Sequence, residues 1–220
     1  MKVVLDPPGD PESNMAADQR ILGIVAQTEQ PNGILRIYRW DRPAISLGRR
    51  QRSEDLPASL STGGLPFVRR PTGGGAVLHR MDELTYALAA SRKFLPAAGP
   101  LREIPVLLHR CLRDWAVGQG WVSAGDLSLV ESDPSGPAPL CFEAPAWGDL
   151  LFRGRKVAGA ALRVWKEEFL LQGSLQGFPV RRDHLRHGLI AAVRKSFGED
   201  ECGRRDLNSQ GLRSYAEAGI

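Results

Sequence analysis

The spacing of apolar and polar positions changes several times along the chain, and each change marks an element. In residues 12–27, ESNMAADQRILGIVAQ, the apolar Ile21, Leu22, Ile24 and Val25 share roughly one face behind the capping candidates Ser13 and Asn14, which predicts a helix. GILRIYRW (33–40) alternates Ile34, Arg36, Tyr38 and Trp40 against Leu35, Ile37 and Arg39, the two-residue period of a strand. AISLG (44–48) and PFVRRP (66–71) read as short strands bounded by Pro and Gly. GAVLH (75–79) and ELTYALAA (83–90) form a hairpin or meander around Met81 and Asp82. The longest helical pattern covers 100–120, where Ile104, Leu107, Leu108, Cys111, Leu112 and Trp115 recur at three and four, with a left-handed cap expected at Gly118 or Gly120.

A turn-rich stretch, GDLSLVESDPSGPAPL (125–140), follows. DLLFRGRKVAGAAL (149–162) then reads as two strands joined by a turn at Gly154, and FLLQGSLQ (169–176) as another. From Arg181 the pattern is a basic amphipathic helix and a polar tail. The sum is an α+β domain with a mixed, largely antiparallel sheet and helices packed on it, without a βαβ rhythm.

Composition narrows the class. The 220 residues suffice for one sizeable core, and 42% apolar with 25% charged residues is ordinary for a globular domain. The opening MKVVLDPPGD lacks the charged start and apolar run of a secretory signal, and no segment approaches the roughly 18 apolar residues of a membrane helix. A cytoplasmic protein without membrane attachment is expected. Three cysteines, Cys111, Cys141 and Cys202, are too few and too irregular for a disulfide framework or a zinc cluster, so no metal is expected. Cys111 falls in a helical pattern as a core or lining thiol, and Cys202 in a polar stretch looks incidental. The net charge of +4 comes without a recognition helix, zinc finger or stacking motif, which argues against nucleic acid. The basic clusters Arg49, Arg50, Arg52 and Arg69, Arg70 suit an acidic protein partner or a phosphate. His109, His184 and His187 lie in helical patterns and are expected to face solvent.

The stretch RRPTGGGAVLH (69–79) sets two arginines, a proline and three glycines before a short apolar run. Glycine serves where φ is positive or where a backbone or ligand comes close, and three together can place several amides around one anionic or carbonyl group. No Gly-Lys-Ser/Thr follows, so this is not a P-loop, and the spacing is wrong for a dinucleotide fingerprint. On the residues alone, a glycine-rich surface turn remains the alternative. So does a buried thiol for Cys141, a structural role for His79, and surface exposure for the two arginines.

RRPTGGGAVLH…ELTY and, some sixty residues on, CFEAPAWGDLLFRGRKVAGAA resemble the lipoate–protein ligase and octanoyltransferase superfamily, which includes the biotin–protein ligases. WDRPAISLGRRQ (40–51) and NMAAD (14–18) are similar to its earlier landmarks in the same order. The resemblance implies a catalytic domain over residues 1–180, related to class II aminoacyl-tRNA synthetases. Residues 181–220 would be a short extension, with no separate accessory domain. It further implies an acyl tunnel lined by Gly73, Gly74, Gly75 and Ala76, bordered by Arg70 and His79 and by Gly159 and Ala160, with Lys156 at the acyl carbonyl. CFEAP (141–145) resembles the cysteine motif of the cysteine-dependent octanoyltransferases, which makes Cys141 the nucleophile and Lys156 its charged assistant.

Thiol chemistry agrees: a thiol can hold an acyl group as a thioester without ATP, and a cation beside it raises the small thiolate fraction. The implied partners are acyl carrier protein and the lipoyl-carrier domains of 2-oxoacid dehydrogenases or the glycine cleavage system. No cofactor is required. The alternatives are an ATP- and Mg-dependent lipoate ligase, in which Asp149 helps hold nucleotide phosphates, and a non-catalytic acyl-binding relative. Three positions depart from the family pattern: Arg80 where an acidic residue often follows the histidine, Leu162 for a polar residue, and Gln172 for histidine.

Overall fold

The alternation of residues 33–40 sorts the side chains of one central strand into two cores. The computed structural model describes residues 1–28, 33–56, 60, 63–94, 100–132 and 140–197. In chain order the main elements are β1 (Lys2–Gly9), α1 (Pro11–Ala26), β2 (Gly33–Trp40), β3 (Ala44–Leu47), β4 (Phe67–Arg69), β5 (Val77–His79), β6 (Leu84–Ser91) and α2 (Ile104–Gly118). They continue with β7 (Leu127–Leu129), β8 (Leu150–Phe152), β9 (Arg155–Trp165), β10 (Glu168–Leu175) and α3 (Arg182–Ser196).

A seven-stranded sheet runs β1-β2-β6-β10-β9-β8-β7, and a three-stranded sheet runs β4-β3-β5. Ile34, Tyr38 and Trp40 of β2 join Met15, Ile21 and Val25 of α1 on one face of the large sheet. Leu35 and Ile37 join Leu108 and Leu112 of α2 and Leu189 and Val193 of α3 on the other. Each fully buried side chain of this kind contributes about 1.5–3 kcal/mol of transfer free energy. Among the described residues no helix is long and apolar enough to cross a membrane.

The expected mixed, largely antiparallel sheet is present, with three corrections. β5 and β6, expected as a hairpin or meander, lie in different sheets, β5 pairing with β3 and β6 with β2 and β10. β1 pairs in parallel with β2 across α1, so the chain opens with the βαβ unit that the sequence pattern did not suggest. Pro7 and Pro8 hide the strand, since proline cannot donate to a ladder; β1 tolerates both because it is an edge strand with a register shift between Leu5 and Pro8. Leu127–Leu129, inside the stretch read as turns, pairs with β8 and closes the opposite edge.

The caps also differ in detail. Asp10, not Ser13 or Asn14, caps α1: its carboxylate accepts from Ser13 N–H at 2.9 Å, and Pro11 occupies the first turn. Asn14 instead turns inward and donates to the carbonyls of Gly9 and Arg39, tying helix to strand. α2 ends as expected, with Gly120 at φ 72° beyond its last turn. Arg153 and Gly154, at φ 49° and 77°, form the two-residue turn between β8 and β9. Cys202 and the tail from residue 198 onward lie outside the described residues.

Candidate active site

Lys156 is the second residue of β9, and its side chain is almost fully buried. It crosses the backbone at Gly159, where a Cβ would stand 2.6 Å from Lys156 Cε, so the glycine three residues on is what lets the ammonium pass. Nζ lies 2.6 Å from Asp149 Oδ2, donates to the Cys141 carbonyl at 2.5 Å and reaches Cys141 Sγ at 3.5 Å. The Phe142 ring covers it at 5.1 Å. Burial pushes the Asp149 carboxyl above its ordinary range, against the opposing pull of Lys156. Cys141 is half-buried and fixed through its backbone: its N–H donates to the Ala76 carbonyl at 2.7 Å, beside a parallel bridge between Ala76 and Leu140.

Cys141 and Phe142 belong to the lining of a narrow, largely apolar cleft of about 40 Å³. The floor is the α1-facing side of the large sheet. It crosses β9 at Gly159 and Ala161, β10 at Gln172 and Ser174, β6 at Thr85 and β2 at Trp40. Met15 of α1, Ser46 of β3 and His79 of β5 close the remaining sides. Of the residues expected from sequence, Cys141, Arg70, His79, Gly159 and Ala160 line this cleft, and Lys156 meets it through Cys141.

The triple glycine does something else. Gly73, Gly74, Gly75 and Ala76 are not among the residues lining the cleft. Their loop wraps the Arg70 guanidinium, which donates to Gly73 O at 2.6 Å, Gly75 O at 2.6 Å and Ser46 O at 2.9 Å. Gly74 takes φ 87°, and Gly48 lies so close beneath it that a Cβ there would be 1.9 Å from Gly74 O. The glycines thus cradle an internal cation with carbonyls, and Ala76 passes the loop's position on to Cys141.

Arg70 is therefore buried rather than superficial, and its donors serve the backbone instead of a phosphate; burial brings its pKa down to about 10. Arg69 likewise clamps the carbonyls of Gly48 and Gln51. His109 departs from expectation too: it is fully buried, bonded to Gly148 O at 2.6 Å and to Tyr86 Oη at 3.2 Å, whereas His184 and His187 are exposed.

Several cleft residues escaped the sequence reading. His79 Nε2 meets Ser46 Oγ at 2.7 Å, its Nδ1 meets Glu83 Oε1 at 2.7 Å, and Trp40 stacks on the ring at 3.9 Å. The acidic partner absent at Arg80 is supplied four residues after the histidine by Glu83, which also accepts from Thr85 and Ser174. Gln172 accepts from Thr72 and donates to Asp18, each at 2.7 Å. Asp18 in turn binds Arg36 and Tyr38, and Arg36 reaches Asp6. The strand alternation of AISLG was the available signal for Ser46; Glu83 carried none beyond opening its strand.

This two-sheet α+β fold is shared with solved lipoate ligases. Lipoate-protein ligase A bound with ATP superposes with a TM-score of 0.69 over 90% of this chain and 85% of that one, at 19% identity. A putative lipoate protein ligase from T. acidophilum gives 0.69 over the same shares at 20% identity. Residues 10–206 match the lipoyl protein ligase A/B catalytic domain, and the chain belongs to that family. Among curated relatives, the octanoyltransferase LipM of Oceanobacillus iheyensis is 36% identical over 174 residues, 75% of this chain and 59% of that protein. The LipM of Symbiobacterium thermophilum is 38% identical over 167 residues, 74% of this chain and 60% of that protein. The chain thus spans about three-fifths of the length of these relatives.

Proposed function

We propose that the protein is a cysteine-dependent acyltransferase that takes an octanoyl (or lipoyl) group from acyl carrier protein and passes it to a lysine of a lipoyl-carrier domain. The observation that carries this reading is the 3.5 Å approach of Lys156 Nζ to Cys141 Sγ beside a largely apolar cleft. In the first half, Cys141 sulfur attacks the carbonyl carbon of the carrier thioester and the carrier thiol leaves. Lys156 steadies the anionic sulfur before attack and after departure. In the second half the acceptor amine takes the acyl group and Cys141 is released. The donor is already a thioester, so the reaction requires no cofactor. The exposed Arg49 and Arg50 offer charge to an acidic carrier.

ATP-dependent ligation is the second reading, favoured by the fold shared with lipoate ligases. There Asp149 would face nucleotide phosphates and magnesium, yet its carboxylate is buried and bound to Lys156 and Ala146 N–H. That arrangement is a poor fit to the nucleotide role. Incubation with octanoyl-acyl carrier protein without ATP, followed by intact mass measurement, separates the readings. The expected result is one added octanoyl group, absent in Cys141→Ala. No addition, with AMP formed from ATP and lipoate, would replace transfer by ligation. Binding without either product would leave an acyl-binding protein.

A further inference from the structure

Lys156 serves one half of the proposed transfer and leaves the other open. Its ammonium is already engaged by Asp149, the Cys141 carbonyl and the Cys141 sulfur, which suits a group that stabilises a thiolate. An acceptor lysine arrives as an ammonium at neutral pH, and its nitrogen cannot attack a thioester until a proton has been taken from it.

Elsewhere on the cleft wall stands a row of side chains suited to that task. Ser46, His79 and Glu83 are all at most 5% exposed, and Ser46 and His79 line the same cleft as Cys141. On the transfer reading above, we propose that Ser46 is a catalytic residue of the second half-reaction, relaying the acceptor amine's proton to His79 while Glu83 holds the imidazole.

The hydrogen-bond capacities fit. A carboxylate can only accept, so the Glu83 contact puts the ring hydrogen on Nδ1 and leaves Nε2 as the basic atom toward Ser46, 2.7 Å away. A hydroxyl has one hydrogen and two lone pairs. Ser46 gives its hydrogen to His79, and one lone pair takes the 3.2 Å contact from Arg70 Nη1. The other lone pair remains for an incoming N–H. Trp40, stacked on the imidazole, fixes the plane of the ring. The ionisable and charged groups around the relay are Glu83 at Nδ1, Arg70 beyond Ser46, Tyr38 beside Trp40, and Cys141 across the cleft, whose charge acts on Arg70.

The step balances with bulk water taking one proton. The ammonium gives its first proton to Ser46 Oγ as the hydroxyl proton moves to His79 Nε2. The freed amine nitrogen bonds to the thioester carbonyl carbon, the C–S bond breaks, and its electron pair stays on Cys141 sulfur beside Lys156. The imidazolium then returns its proton through Ser46 to the released thiolate, and the nitrogen sheds its second proton to bulk water as the amide forms.

The test compares two amines on isolated octanoyl-enzyme in single turnover. Butylamine, like a lysine side chain, is protonated at neutral pH, whereas hydroxylamine is neutral there and needs no base before attack. Ser46→Ala is expected to slow deacylation by butylamine at least about tenfold more than by hydroxylamine, within the usual size of a lost proton transfer. Ser46→Thr, which keeps the hydroxyl, should recover most of that loss. Equal slowing toward both amines marks a merely structural serine and overturns the relay, as does no slowing at all.

Where Ser46→Ala yields no octanoyl-enzyme, Glu83→Gln decides. Removing the negative charge beside the base should move the butylamine rate–pH profile to lower pH, and an unmoved profile overturns the relay. Wild-type protein that takes no octanoyl group onto Cys141 overturns the transfer reading and the relay together; acylation without discrimination between amines overturns the relay alone.

Discussion

At the scale of single residues, the most consequential buried group outside the cleft is His109. Burial, followed by the nearby Lys156 charge, lowers its pKa to about 4 against the opposing effect of its bond to Gly148 O. The native state therefore holds this imidazole neutral where the unfolded chain would protonate it. Between the unfolded value, about 6.5, and about 4, the unfolded state binds the extra proton, so stability falls as pH falls through that window and the contribution of His109 ends below it. The loss is on the order of 3 kcal/mol. His109→Gln, which removes the titration, should flatten the dependence of urea midpoint on pH between 6.5 and 4. An unchanged slope would assign the acid sensitivity elsewhere. Gln172 makes a related point: it departs from the family pattern, yet both ends of its amide are bonded, to Thr72 and to Asp18.

At the scale of elements, the loop 69–76 matters through its carbonyls rather than its empty glycine surfaces. Gly48→Ala would force a Cβ to within 1.9 Å of Gly74 O, and backbone, unlike a flexible side chain, yields little. We expect a loss of about 1–3 kcal/mol in denaturant unfolding. Octanoyl loading of Cys141 should fall as well, since Cys141 N–H rests on Ala76 O at the end of the same loop. Loss of stability with full loading would uncouple loop from thiol. Most strands, the first helix and the β8–β9 turn were legible in the sequence, whereas the pairing of Cys141 with Lys156 was implied only by the family resemblance. Period-two alternation, positive-φ glycine and motif spacing are local signals. β1 was not legible, because its prolines suppress the strand pattern and only its edge position permits them. Nor could the sequence reveal that Arg70 faces inward: a run of arginine and glycine looks alike whether it binds a ligand or its own backbone.

At the scale of the whole molecule, one ionic cluster joins three elements that the chain order keeps apart. Arg36 on β2 binds Asp6 on β1 at 2.5 Å and Asp18 on α1 at 2.7 Å, with all three side chains nearly excluded from solvent. Burial raises the Asp18 carboxyl above its ordinary range, with Arg36 as the leading opposing influence. Arg36→Met would leave the buried Asp18 carboxyl without its cation and should lower stability by about 3–5 kcal/mol. Asp18→Asn in the same chain should recover part of it. Additive rather than compensating losses would show that the ions act independently. Through Asp18 and Gln172 the cluster also touches the cleft floor, so the single variant is expected to impair octanoyl loading along with folding.

The Lys156–Asp149 contact carries a last implication for a protein that would decorate lysines. It keeps a lysine of its own within 3.5 Å of the sulfur that would bear the acyl cargo, close enough to become its own victim. With the ammonium tied to Asp149 at 2.6 Å, the nitrogen has no lone pair to offer. Asp149→Asn loosens that restraint and should allow slow, irreversible migration of the octanoyl group from sulfur to Lys156, seen as a hydroxylamine-resistant adduct on the peptide that contains it. Self-poisoning, on this view, is what the aspartate guards against.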